Sequence, residues 1–141
     1  MKLTEVQKKA IEDEYNEWFE HQYGGRTLEE RKRLGQFFTP PTITIQMIER
    51  FETIENKSIF DPTCGAGNLL AGCIMAGANP ELIYGNEYDE AIYEVCVERL
   101  VGLGVPASNL TRGDIFDYCK DDEPEQLSLW GDMFNVIKKE R

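Results

Sequence analysis

The side chains with the most chemical capacity in this sequence fall into three short stretches, each at a point where an apolar run gives way to a turn. The first is DPTCGAGNLL (61 to 70), which follows the apolar pair Ile59-Phe60. Gly65 and Gly67 can supply tight-turn dihedrals and bare backbone that a ligand can approach closely. Asp61, at the tip of the preceding strand, is placed to accept from an ammonium group or to brace the loop. Glycines alone are a weak signal, because many α/β turns use them only for conformational freedom. The second stretch, GNEYD (85 to 89), puts Glu87 near the position where a carboxylate in an open parallel sheet binds two ribose hydroxyls. Tyr88 beside it can lay its ring on a purine. The third, GDIFD (113 to 117), carries Asp114, which can accept from an exocyclic amine, an ionised carboxylate being an acceptor only. Singly, each is as readily a surface acid or a packed tyrosine. Together, at successive strand ends, they outline a nucleoside site.

Such a site requires strands that end side by side. Ile59-Phe60, the glycine turn and LLAGCIMAGA parse as strand, turn and helix. Leu82-Ile83-Tyr84 gives a second strand. Glu90 to Leu103 gives a second helix with Ile92, Val95, Cys96 and Leu100 on one face, and Asn109 to Arg112 a third strand. Strands alternating with helices predict an α/β fold with a parallel sheet and right-handed crossovers. Upstream, Val6, Ala10, Ile11, Tyr15, Trp18 and Phe19 recur at helical spacing between Thr4 and Tyr23, before Gly24-Gly25. That stripe is expected to attach to the main core, the alternative being a partner-binding helix. Thr27-Leu-Glu-Glu30 has capping-box spacing and opens a short basic helix that ends near Gly35. Pro40-Pro41 interrupts helical geometry and restarts it, with Ile43, Met47, Ile48 and Phe51 as the expected buried face. DDEPEQ (121 to 126) reads as an acidic loop.

With 141 residues, 41% of them hydrophobic, the chain can bury one core but not two. The 15 Lys+Arg against 26 Asp+Glu give a formal charge of -11, so the average field repels a polyanion and unaided DNA binding is disfavoured. Arg26, Arg31, Lys32 and Arg33 form the one candidate basic patch, although a charge run is usually a solvated face. Cys64, Cys73, Cys96 and Cys119 show no CxxC pairing, and His21 is the one histidine. Neither a zinc site nor a disulfide framework is expected, and reduced thiols with a cytoplasmic location are. No signal-peptide core or membrane-length apolar stretch is present in the sequence.

At this point four stretches resemble one family, the adenine-N6 (amino) DNA methyltransferases, particularly the modification subunits of restriction systems. GQFFTP (35 to 40) is similar to their first cofactor motif, DPTCGAGNLL to their glycine loop, GNEYD to their ribose-binding acid, and GDIFD to their adenine-contacting motif. They occur in the family's order and spacing over residues 35 to 117. The resemblance implies a Rossmann-like class I methyltransferase fold that binds S-adenosyl-L-methionine. It further implies that Phe38, Thr39 and Pro40 contact the methionine end of the cofactor. Asp61, Thr63, Gly65, Gly67 and Asn68 would line the loop, Glu87 would hold the ribose and Tyr88 would lie on adenine. Asp114 with Ile115 and Phe116 would read the adenine edge. The implied division is an N-terminal helical segment, 1–34, and an S-adenosylmethionine-binding domain, 35–141, incomplete at its C-terminus.

The departure from the pattern lies at the end of the chain. A fourth strand resembling Phe134-Asn-Val-Ile137 runs, in the family, into an Asn-Pro-Pro-aromatic tetrapeptide that holds the flipped target base. Here Lys138-Lys-Glu-Arg141 follows Ile137, and Asn79-Pro80 lies in a loop where it cannot serve. No catalytic residue is therefore assigned. Methyl transfer needs both reactants held in line, so base binding and catalysis are expected to need a second chain or a missing segment. A sheet ordered 3-2-1-4 would leave the fourth strand as an edge open to a second polypeptide or to self-association, unless Trp130, Met133 and Phe134 cover it. DNA would be met only with a partner. The remaining readings are a catalytically inactive methyltransferase-like protein that binds a restriction-modification component, and a different enzyme using the same cofactor.

Overall fold

A computed structural model describes residues 1–25, 27–30 and 38–119. Helix α1 (Glu5–Tyr23) starts where a capping box dictates. The Thr4 hydroxyl accepts from the Gln7 backbone N–H at 3.1 Å, and the Gln7 side-chain oxygen accepts from the Thr4 N–H at 2.9 Å. Two donors that a helix start leaves unpaired are thereby satisfied. Thr27 and Glu30 make the same reciprocal pair, at 3.2 and 2.9 Å. The basic cluster at 26 and 31–33 lies outside the described residues. Extended Pro40 caps α2 (Pro41–Ile48), with Pro41 in the first turn, where its missing N–H costs nothing.

The α/β unit then runs β1 (Ile59–Asp61), α3 (Asn68–Met75), β2 (Ile83–Glu87), α4 (Glu90–Gly102), β3 (Leu110–Arg112) and a closing 3-10 turn, Ile115–Cys119. The three strands are parallel and lie in the order β1-β2-β3. Ile59 registers with Ile83, and Asp61 with Gly85. Gly85 in turn registers with Leu110, and Glu87 with Arg112. These are the first three places of the expected 3-2-1-4 arrangement. The fourth, around Phe134–Ile137, falls outside the described residues. The middle strand differs from the sequence reading at both ends. Asn79 and Pro80 wind Leu82 into a 3-10 turn, the Asn79 side chain accepting from the Glu81 N–H at 3.1 Å. Pairing on both sides then carries the strand on to Glu87, which closes it instead of following it.

Ile48, Leu70, Ile83, Leu100 and Val105 form the fully buried centre of the core. Helix α1 joins that core through Ile11, and Leu3 just ahead of the helix joins it too. The expected apolar stripes are redistributed, each helix for its own reason. On α1, Ile11 and Trp18 are buried but Val6 is 80% exposed, because Leu3, ahead of the cap, fills the place at that end. On α2, Ile48 is buried as expected, while Ile43 and Met47 are exposed, as is Phe51 beyond the helix end, and Thr44 takes the inward position. The cause is Gly72 on α3: a Cβ there would lie 2.4 Å from Thr44 Cγ2, so the two helices cross where a glycine meets a short side chain. That close crossing turns the Thr44 and Ile48 row inward and leaves the other apolar row outside.

Candidate functional site

The chain leaves β1 at Asp61 and turns through residues 62–67 into α3. The Cys64 N–H donates to the Asn86 carbonyl at 2.9 Å and the Gly67 N–H to the Cys64 carbonyl at 2.8 Å, which closes the turn. Gly65 and Gly67 adopt φ of +56° and +85°, the left-handed region that costs other residues about 1–2 kcal/mol. Their surroundings differ. Among the described residues, a Cβ on Gly65 would meet nothing within 4 Å, whereas one on Gly67 would lie 3.1 Å from Leu100 of α4. Gly65 thus faces open space and Gly67 is seated against a helix.

Glu87 faces the same turn from the tip of β2. One carboxylate oxygen accepts from the Gly65 N–H at 2.9 Å and the other from the Asp89 N–H at 3.2 Å. Its own carbonyl accepts from the Gly113 N–H at 3.0 Å. Asp61 accepts from the Thr63 N–H at 3.1 Å, so of its two expected uses the one seen is the brace. Burial pushes the Asp61 carboxyl above the usual range. The Thr63 N–H opposes that rise and the neighbouring Glu87 adds to it. Asp114 accepts from the Phe116 N–H at 3.0 Å as the chain enters its last turn.

Asn86, to which the sequence reading gave no role, ties these loops together. It is 2% exposed. Its amide donates to the Pro62 carbonyl at 3.2 Å and to the Gly113 carbonyl at 3.0 Å, and its oxygen accepts from the Thr111 hydroxyl at 2.9 Å. One side chain on the central strand therefore spans the tips of all three. The signal for it was a polar residue inside a run that pairs on both sides.

The remaining sequence-chosen residues divide by exposure. Tyr88 and Phe116 stand out at 74% and 57% exposure, Ile115 is half-buried, and Thr63 is exposed. Phe38 is buried, its ring edge-on to Trp18 at 5.4 Å and tilted against Tyr23 at 5.6 Å. Thr39 is half-buried and Pro40 exposed. Phe38 and Tyr23, with Ala66 of the glycine turn and Ala91, Ile92 and Val95 of α4, line a cleft of about 130 Å³. Asn68 is buried at the start of α3, where its oxygen accepts from Arg99.

Arg99 was the larger omission. Its side chain is 3% exposed and pairs bidentately with Glu14 of α1. The hint in the sequence was a pair of opposite charges on two apolar faces: Glu14 lies between Ile11 and Trp18, and Arg99 between Cys96 and Leu103. The Cys64 and Cys96 sulfurs lie 3.5 Å apart. Their mutual contact and burial both raise the Cys64 thiol, and burial pushes Cys73 up to about 12. Among the described residues, no three His, Cys, Asp or Glu side chains group as metal ligands, and no helix is long and apolar enough to cross a membrane.

A parallel α/β sheet with a glycine turn after its first strand and acidic residues at the tips of its first two strands is compatible with a methyltransferase fold. Residues 7–119 match the N-6 DNA Methylase family, and the chain belongs to it. The chain is 30% identical over 116 residues to the type II methyltransferase M.VspI of Vibrio sp., covering 81% of this chain and 27% of that one. It is 28% identical over 105 residues to the modification methylase CviBIII of Paramecium bursaria Chlorella virus NC1A, covering 70% and 28%. Similarity to the type I restriction enzyme MjaIX methylase subunit of Methanocaldococcus jannaschii is 27% over 153 residues, covering 92% and 26%. The chain thus spans about a quarter of the length of these relatives. No solved structure matches it significantly.

Proposed function

We propose that this chain forms the S-adenosylmethionine-binding part of a DNA adenine-N6 methyltransferase, and that a second chain or further segment supplies the target-base pocket and the catalytic tetrapeptide. Members of the family generally use this cofactor, and the observation that carries the reading is the bond from the Gly65 N–H to the Glu87 carboxylate. It puts bare glycine backbone and a diol acceptor side by side. The residues fit the ligand. Each Glu87 oxygen takes one backbone N–H and keeps a lone pair for a ribose hydroxyl. Among the described residues nothing lies within 4 Å of a Cβ placed on Gly65, which leaves room for a ligand segment of small cross-section.

When bound, the cofactor supplies a methyl group on a cationic sulfur. The protein's own part is orientation and charge. Glu87 fixes the ribose, Tyr88 and the Asp114 to Phe116 stretch flank the adenine, and Phe38 with Thr39 and Pro40 bounds the methionine end. The three carboxylates Asp61, Glu87 and Asp114 gather negative charge where a cation is to rest. The formal charge of -11 disfavours unaided DNA contact and supports a reading in which the partner makes it.

Titration calorimetry of the chain with S-adenosylmethionine tests the reading. Binding at one site is expected, and Glu87→Ala should abolish it while lowering stability by only about 1 kcal/mol for the lost hydrogen bonding. A folded chain that takes up no cofactor would overturn the proposal.

A further inference from the structure

We infer that Arg99 is a positioning residue of the cofactor site, holding the glycine turn from behind and making α1 part of that site; the inference rests on the function proposed above. Arg99 Nε and Nη2 donate to the two Glu14 carboxylate oxygens at 2.8 and 2.6 Å. Its Nη1 donates to the Ala66 carbonyl at 3.2 Å and to the side-chain oxygen of Asn68. The guanidinium carbon lies 4.0 Å from the centre of the Trp18 ring. Each of the three guanidinium nitrogens thus donates, two of them toward α1 and the third toward the turn, with an aromatic face covering the plane.

The point of contact matters. Ala66 is 1% exposed and sits between the two left-handed glycines. Its carbonyl belongs to the peptide whose N–H, on Gly67, closes the turn onto Cys64. Holding that carbonyl sets the plane of the peptide, while Glu87 holds the turn at a second point, the Gly65 N–H. The turn is thus held at two separate peptides, and Arg99 holds the one that runs into α3 beside Leu100. Arg99 therefore acts through the backbone and not by touching the ligand. Glu14 neutralises the guanidinium and sets the direction of its fork, so a residue far upstream in sequence orients the loop. A bare apolar side chain at 99 would leave the Ala66 and Asn68 oxygens buried without this donor.

Two measurements on the unaltered chain, Arg99→Met and Glu14→Gln test this: S-adenosylmethionine affinity by calorimetry, and amide hydrogen exchange over residues 62–69 without ligand. Arg99→Met should weaken binding about tenfold and speed exchange of the turn by a similar factor, with β2 unchanged. Glu14→Gln keeps an acceptor for the guanidinium, so about threefold is expected in both. A purely structural arginine would lower the melting temperature yet leave affinity and turn exchange within twofold, which overturns the positioning role. Should Arg99→Met not fold, unchanged values for Glu14→Gln overturn it equally. Absence of binding by the unaltered chain would overturn the cofactor reading instead, and the exchange contrast then decides alone whether Arg99 holds the turn.

Discussion

The two faces of the glycine turn are built on opposite principles. Behind it, Leu100 presses on Gly67, Arg99 spans Ala66, Asn68 and Glu14, and Trp18 covers the guanidinium. In front, Gly65 borders open space, and the holding group is Glu87, itself partly exposed. The rear is closed and charge-compensated, and the front carries acceptors with capacity to spare. A loop proposed to hold a cofactor must be rigid where the ligand is absent and bare where the ligand would arrive, and in that reading α4 and the tip of β2 divide those demands.

The contrast is tested most severely at the buried ion pair. Glu14→Ala strands the Arg99 guanidinium in an interior without its counter-charge, an event that costs about 3–5 kcal/mol and should lower the melting temperature by about 10 °C or more in calorimetry. A loss below about 1 kcal/mol would mean that the pair behaves like an exposed one. The two glycines give the next largest effect and the cleanest comparison. Gly65→Ala should cost about 1–2 kcal/mol, the strain of a left-handed alanine. Gly67→Ala should cost more, because its methyl group also meets Leu100 at 3.1 Å, and overpacking adds about 1–3 kcal/mol. Equal losses in urea unfolding would deny that the rear is the tighter face. For ligand binding the order reverses, since the Gly65 methyl enters the open space.

The smallest effect concerns pH. Asp61 has its carboxyl raised, chiefly by burial, so ionising it opposes folding. Any stability it contributes is present below the unfolded aspartate's range and is lost as pH rises through the folded value. Asp61→Asn keeps an oxygen for the Thr63 N–H and removes that ionisation. It should therefore raise stability slightly at neutral pH, with the gain vanishing as the solution is acidified toward the ordinary aspartate range. A variant less stable than the parent at pH 7 would show that the Thr63 bond outweighs burial.

Much of the front face could be read in the chain. DPTCGAGNLL announces a strand, a turn with two special glycines and a helix, because left-handed backbone restricts residue type wherever it occurs. GNEYD and GDIFD mark the next two strand tips for a related reason: a carboxylate placed just past an apolar run ends a strand as well as it holds a ligand. The rear face was hidden. Arg99 looks like one more charge on a helix surface until Glu14 and Trp18 are brought against it, and Asn86 looks like a turn residue until Pro62 and Gly113 meet it from either side. Likewise Ile43, Met47 and Phe51 satisfy a helical stripe as well as Thr44 and Ile48 do. The choice between the two rows was made by Gly72 on another helix.

Local rules, which act over a few neighbouring residues, were enough to mark most of the elements: the helix from about Thr4, the capping box at Thr27, the proline restart at Pro41, the alternation of strand and helix, and the placing of Gly65, Glu87 and Asp114 near strand ends. Which polar groups would find partners was left to the packed molecule. A hydrogen bond between residues 85 positions apart, such as Arg99 to Glu14, depends on how three helices settle on one sheet, and no spacing within either helix encodes that distance.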